Sequence, residues 1–148
     1  MNSTPKLNFP PINLRAKRDN ERTLVYDEVR SMYVVLTPEE WVRRHLVAFL
    51  VSHCGASLRS IVEEYPVPLN GQPQRADVVV VGRDAHPLLL AECKAPEVKI
   101  DQSVLDQAAR YNAVLGARYL LLTNGLKLFL YELTATGYRP LDAFPHLY

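Results

Sequence analysis

A carboxylate and an ammonium stand two positions apart at the end of the apolar run Leu88-Leu89-Leu90-Ala91-Glu92-Cys93-Lys94. In an extended chain, Leu88, Leu90, Glu92 and Lys94 share one face and Leu89, Ala91 and Cys93 the other. Both faces begin apolar, which predicts a strand covered on both sides with its charges at the C-terminal end. Charges there are costly unless they are paired, metal-bound or facing a cleft. The preceding strand, Arg75–Val81, carries Asp77 near its start. A turn at Arg83–His86 in a regular hairpin sets Asp77 opposite Glu92. Directly opposed like charges destabilise a sheet. A buried pair therefore calls for a cation between its members, and hard oxygen ligands favour Mg²⁺ or Mn²⁺. Taken singly, Asp77 also reads as a strand-start residue at the solvent edge, and Glu92 with Lys94 as a surface ion pair. Together, on opposed strands and one face, they predict a site.

Two helices and further strands must position these residues. Thr37-Pro38-Glu39-Glu40 begins a helix, with Thr37 as N-cap, Pro38 at the first helical position and Glu40 completing a capping box. Trp41, Val42, His45, Leu46, Phe49 and Leu50 recur at helical spacing up to a stop at Gly55. Arg43 and Arg44 suit either a phosphate contact or a solvated helix face; His45 and His53 suit packing, and Trp41 the core. Ile61–Leu69 reads as a strand whose Pro66 and Pro68 suit an edge or a bend, closed by a turn at Asn70-Gly71. A second helix is expected over Gln102–Leu115, with Val104, Ala108, Tyr111 and Leu115 as its apolar stripe and Gly116 as terminator. Gln107 and Tyr111, four apart, put two polar tips on that buried side, aimed at the strand end carrying Glu92 and Lys94. A rim tyrosine hydrogen-bonded to a glutamine explains them equally. Strands at Arg118–Thr123 and Leu126–Leu133 meet at the hairpin signal Asn124-Gly125. Helix, three strands, helix, two strands is an α/β order, predicting a mixed sheet flanked by helices.

At 148 residues, with 48% apolar and 22% charged, the sequence suits one core in a single domain. Seventeen basic against sixteen acidic residues give a net charge of +1, so any phosphate contact must come from a local patch. That patch could be the cluster Arg15, Lys17, Arg18 and Arg22 within residues 1–23, which read as an N-terminal arm; a solvated lead-in is the other reading. Residues 24–148 then form the domain, with β-like stretches between Thr23 and Leu36. Two separated cysteines, Cys54 and Cys93, suggest neither a disulfide framework nor a zinc site. No apolar segment approaches a signal peptide or a membrane span, so a reduced, cytoplasmic protein without membrane contact is expected. No Gly-rich phosphate loop, Ser/His/Asp arrangement or HExxH is present.

Asp77, followed after a turn by Glu92-x-Lys94, resembles the PD-(D/E)xK nuclease signature. More specifically, Thr37 to Leu133 is similar to the N-terminal nuclease domain of type I restriction enzyme R subunits. The resemblance rests on Thr-Pro-Glu-Glu at 37–40 with Val42-Arg43, Arg75-Ala76-Asp77 before a valine run, Ala91-Glu92-Cys93-Lys94-Ala95-Pro96, Gln107-x-x-x-Tyr111, and Leu122-Thr123-Asn124-Gly125. Ala76 stands where the nominal motif has proline. An R subunit also carries a large translocase after this domain, whereas the sequence ends at Tyr148, so a stand-alone version or a fragment is expected, without translocation-coupled cleavage.

The resemblance implies a restriction-endonuclease-like fold and Mg²⁺-dependent DNA cleavage, with Mn²⁺ able to substitute. Asp77, Glu92 and the backbone carbonyl of Cys93 would hold the ion, Lys94 would orient or deprotonate the attacking water, and Gln107 and Tyr111 would position the metal site or the DNA backbone. Glu40 is a further candidate ligand beside its role as a cap. Implied partners are DNA and the methyltransferase and specificity subunits of a restriction system, with a homodimer as one route to double-strand cleavage. The alternative is a catalytically silent nuclease-like module that binds nucleic acid or a partner subunit.

Overall fold

The structure, a computed structural model, describes residues 4–147. The first three residues of the expected arm and Tyr148 lie outside the described residues. A three-stranded antiparallel sheet comes first, from β1 (Ala16–Asp19), β2 (Arg22–Asp27) and β3 (Met32–Val35). Helix α1 (Pro38–His53) follows, then β4 (Ile61–Leu69), β5 (Gln72–Val81), β6 (Pro87–Cys93), α2 (Gln102–Leu115), β7 (Tyr119–Thr123), β8 (Leu128–Thr134) and β9 (Gly137–Pro140). The six later strands form one sheet in the order β4-β5-β6-β7-β8-β9. Only the β6–β7 pairing is parallel, with α2 as the crossover. The expected mixed α/β sheet flanked by helices is therefore present, with β4 at an edge, where its two prolines cost no ladder bonds.

Capping residues set the helix boundaries, Thr37, Gly55 and Gly116 as read from the sequence and Asp101 in addition. Thr37 Oγ1 accepts the Glu40 N–H at 3.0 Å, and Gly55 lies beyond the last turn at φ +80°. Asp101 caps α2 through the N–H groups of Ser103 and Val104, and Gly116 ends it in the left-handed conformation. One face of the sheet packs on α1 through Val42, Leu46, Leu50, Val78, Val80, Leu89, Ala91 and Leu121. The other packs on α2 through Val79, Leu90, Leu120, Leu122, Val104, Ala108 and Tyr111. Burial of these apolar side chains on both faces supplies the main drive to fold.

Three local expectations are corrected. Residues 4–23 are not a solvated lead-in. Leu7 is buried in the α1-side core, the Asn8 N–H donates to the Gly125 carbonyl at 2.7 Å, and Trp41 Nε1 donates to the Pro5 carbonyl. Gly125 is needed for that docking, because a Cβ there would lie 2.7 Å from Leu7 Cδ2. Residues 16–23 go on to form β1 and the start of β2, whose short, charge-rich run hid its alternation. The β5–β6 turn is tighter than expected: Gly82 N–H bonds to His86 O and Val81 pairs with Pro87, with a register shift beside Val80. The bulge turns Leu88 towards the α1 face alongside Leu89 and restores the expected register beyond it, so Val78 pairs with Ala91. Finally, β8 starts at Leu128, because the Asn124 side chain closes a four-residue turn through the N–H groups of Leu126 and Lys127.

Candidate active site

Asp77 and Glu92 meet where β5 and β6 end their pairing. The Asp77 N–H donates to Glu92 Oε2 at 2.9 Å, and the Cys93 N–H donates to Asp77 Oδ2 at 2.8 Å. Each carboxylate thus takes up a backbone donor beyond the last β5–β6 pair, which fixes Asp77 within β5 and Glu92 near the end of β6. Glu92 is buried and Asp77 half-buried. Burial raises the pKa of Asp77, with Glu64 and Glu39 adding to the rise and Arg43 opposing it. Burial, then the Asp77 charge, push Glu92 up to about 8. Lys94 opposes that rise, yet its ammonium makes no hydrogen bond or ion pair among the described residues.

A backbone irregularity opens Asp77 to a cleft. On β5, Val78 and Val80 face α1 while Ala76 faces α2. On β4, Ile61 likewise faces α1 and Val67 faces α2, although regular alternation would put both on one side. Both strands roll over at one level, between the pairs Glu63–Val78 and Tyr65–Ala76. Glu64 and Asp77 occupy that level, and Glu64 sits at φ +55°, a left-handed conformation that costs energy for a non-glycine residue. The roll directs both acids towards the N-terminal end of α1. There Thr37, Glu39, Glu40, Arg43, Glu64, Asp77 and Cys93 line a cleft of about 230 Å³. Glu64 is a site residue the sequence reading missed, and its neighbour Glu63 in the same β-run offered no signal to separate the two.

Arg43 joins this cleft to a buried ion network. Its Nη1 donates to Glu64 at 3.0 Å and to the Asp77 carbonyl at 3.4 Å, while Nη2 donates to Glu40 at 2.7 Å. Arg43 and Arg44 are both buried, so neither covers a solvated helix face. Arg44 reaches Asp27 Oδ1 at 2.7 Å, Glu40 Oε2 at 3.0 Å and Glu63. Arg30 adds contacts to Asp27 at 2.6 Å and Glu63 at 3.0 Å. The carboxylate oxygens of Asp27, Glu40 and Glu63 lie within 4.8 Å of one another. Three guanidiniums already stand among these three acids, so the triad does not call for a further cation. Both Glu40 oxygens are engaged there.

Gln107 and Tyr111 bond to each other at 2.9 Å, and the Tyr111 hydroxyl donates to Gln74 Oε1 on β5 at 3.1 Å. The structure brings them to the start of β5, with no hydrogen bond to Glu92 or Lys94 among the described residues. The chain from α2 through Tyr111 to Gln74 braces the strand three residues before Asp77. His45 packs as expected, its Nδ1 on the Trp41 carbonyl, whereas His53 is exposed and stacks on Phe49.

A carboxyl held above its unfolded value keeps its proton in the folded chain and releases it on unfolding, so stability falls as pH rises between the two values. For Glu92 that window runs from 4.5 to about 8. Glu63, pushed up to about 7 by burial and its hydrogen bond with Asp27, acts in the same direction. In EDTA, the melting temperature is expected to fall by roughly 5 °C between about pH 5 and pH 8. Differential scanning fluorimetry giving a flat or rising curve would contradict the raised carboxyls.

A mixed sheet between two helices, with carboxylates set side by side on the adjacent strands β5 and β6, places the chain in the mixed α/β class. Residues 38–145 match the model of the type I restriction enzyme R protein N terminus, and the chain belongs to that family. A solved structure described as the fragment of an HsdR subunit of a type I restriction enzyme from Vibrio vulnificus YJ016 is similar in fold. It shares 24% identity with a TM-score of 0.55, over 74% of this chain and 24% of that one. The chain thus spans about a quarter of that relative's length. No curated protein matches it. Among the described residues, no helix is long and apolar enough to cross a membrane.

Proposed function

We propose that the chain is a Mg²⁺-dependent DNA endonuclease domain of a restriction system, acting in the cytoplasm through Asp77, Glu92 and Lys94. The observation that carries this reading is the pair of adjoining carboxyls, both pushed upward in pKa, beside an ammonium without a hydrogen-bond or ion-pair partner among the described residues. That donor set of hard oxygens with excess negative charge suits a divalent cation. Asp77, Glu92 and the Cys93 carbonyl would hold it. A bound Mg²⁺, or Mn²⁺ in its place, supplies a water of lowered pKa and offsets charge on the phosphate oxygens. With the ion bound, Lys94 would orient that water through its N–H donors and balance negative charge as the phosphorus–oxygen bond breaks. Arg43 holds the Asp77 carbonyl and Glu64 in place, Glu40 fixes Arg43, and the Gln107–Tyr111–Gln74 chain keeps β5 in position. Within a longer assembly, methyltransferase and specificity subunits would bring the domain to DNA, and a second copy would serve the opposite strand.

The test is cleavage of supercoiled plasmid by the purified chain with Mg²⁺ or Mn²⁺, beside EDTA and Lys94→Ala. Wild type is expected to nick the plasmid with metal only, and the variant to be slower by about 10²-fold. Equal nicking by both would identify a contaminant. Inertness towards every DNA and metal tried would leave the second reading, a silent nuclease-like module that binds nucleic acid or a partner subunit.

A further inference from the structure

The basic cluster near the N-terminus takes no part in the site above, and the structure turns it into a surface. Tyr26 N–H bonds to the Arg15 carbonyl, and Tyr26 pairs with Tyr33, so Arg15, Tyr26 and Tyr33 form a row across β1–β3. Val25 and Asp27, of opposite parity, point inward and are buried. On the outer face the Arg15 guanidinium lies 4.2 Å from the centre of the Tyr26 ring, and Lys17 Nζ lies 4.1 Å from that of Tyr33. The two rings meet edge to face at 5.3 Å. Arg15 and Lys17 are exposed, and neither forms an ion pair among the described residues, whereas Arg22 on the same face is matched by Asp19. A cleft of about 450 Å³ opens beside this face, walled by Leu14, Tyr26, Val47 and Val51, with Asn13 and Glu28 among its polar groups. It shares no lining residue with the acid-lined cleft.

Paired rings under unmatched cations, beside a mainly apolar slot, combine the two features that a polynucleotide strand needs. Phosphates seek unpaired cations, and the flat face of a base seeks an aromatic or apolar wall. A duplex hides its base faces, so the slot is open only to unpaired bases. We propose that the outer face of β1–β3 binds an unpaired DNA strand, with Arg15 and Lys17 on its phosphates and a base in the cleft against Tyr26. The choice of DNA over RNA rests on the nuclease reading; the surface itself does not depend on catalysis. The contact would hold a displaced or frayed strand away from the cleft that contains Asp77.

Fluorescence anisotropy of a labelled mixed-sequence oligodeoxynucleotide of about 15 nucleotides, in EDTA, tests this without metal or cleavage. Wild type is expected to bind the single strand at least about tenfold more tightly than the same sequence as a duplex. Arg15→Ala with Lys17→Ala should weaken binding about tenfold, and Tyr26→Leu about fivefold. Lys17→Glu alters one exposed side chain and should weaken binding at an unchanged melting temperature, separating loss of contact from loss of fold. Failure to bind the single strand, equal binding by the variants, equal or tighter binding of the duplex, or tighter binding of the matching RNA would each overturn the proposal. Because nicking of plasmid plays no part in this assay, a failed nuclease reading and a failed strand surface give different results.

Discussion

Asp77→Asn is expected to remove metal-dependent cleavage, slowing it by about 10³-fold or more, the equivalent of several kcal/mol of lost charge stabilisation. The same change should raise the melting temperature of the metal-free chain. Asp77 and Glu92 are held beside each other by two backbone donors, the Asp77 N–H on Glu92 and the Cys93 N–H on Asp77. Their charges repel, and the Asp77 charge is among the causes that push Glu92 upward. An amide at 77 keeps an oxygen for the Cys93 N–H while removing one charge, so the folded chain loses a repulsion and keeps its bond. Divalent cation, expected to stabilise the wild type by binding the folded state, should leave the variant unmoved. Thermal melts of both proteins with and without Mg²⁺, beside the plasmid assay, provide the check. A wild type indifferent to Mg²⁺, or a variant that still cleaves, would remove Asp77 from the proposed mechanism.

Arg44→Ala is expected to cost about 3–5 kcal/mol of stability, on the order of 10 °C in melting temperature. The Arg44 side chain is 4% exposed and contacts Asp27, Glu40 and Glu63. Without it, three buried carboxyls face two guanidiniums, and the Glu63 oxygen that already lacks a hydrogen bond gains another neighbour without one. Because Asp27 belongs to β2, Glu40 to α1 and Glu63 to β4, the loss would loosen the small sheet, the helix and the large sheet together. Adding Asp27→Asn to Arg44→Ala should recover part of the loss, since removing both members of a buried pair costs less than removing one. Urea denaturation of the two variants and wild type measures this, and a cost below about 1 kcal/mol would mean that water already reaches the network.

The elements that carry the site were legible because their signals are local. Capping at Thr37, the glycine stops at Gly55 and Gly116, and the turn at Asn70-Gly71 depend on a few adjacent residues and stand in the structure as read. The expected opposition of Asp77 and Glu92 follows the observed register, though through a compensation: a tighter turn and a bulge together restore what a longer, regular turn would have set. Less legible were the strap of residues 4–14 and the short strands β1 and β9. The strap has no periodic pattern beyond the alternation of Leu7 and Phe9, and the short strands owe their pairing to neighbours distant in sequence. Arg43 and Arg44 were misjudged for a related reason. Adjacent arginines on a helix suggest solvent when their partners, on β2 and β4, are invisible to local reading.

By itself the sequence determined which acid and which amine stand at the end of β6, and that two helices would cover the sheet, because spacing and capping are properties of neighbouring residues. The tertiary structure alone decided that β4 and β5 roll over at Glu64 and Asp77, that Arg43 ties this break to three buried acids, and that Arg15 and Lys17 lie over tyrosine rings. Each of those depends on side chains brought together from separate strands and a helix, where burial and charge, rather than local propensity, choose the conformation.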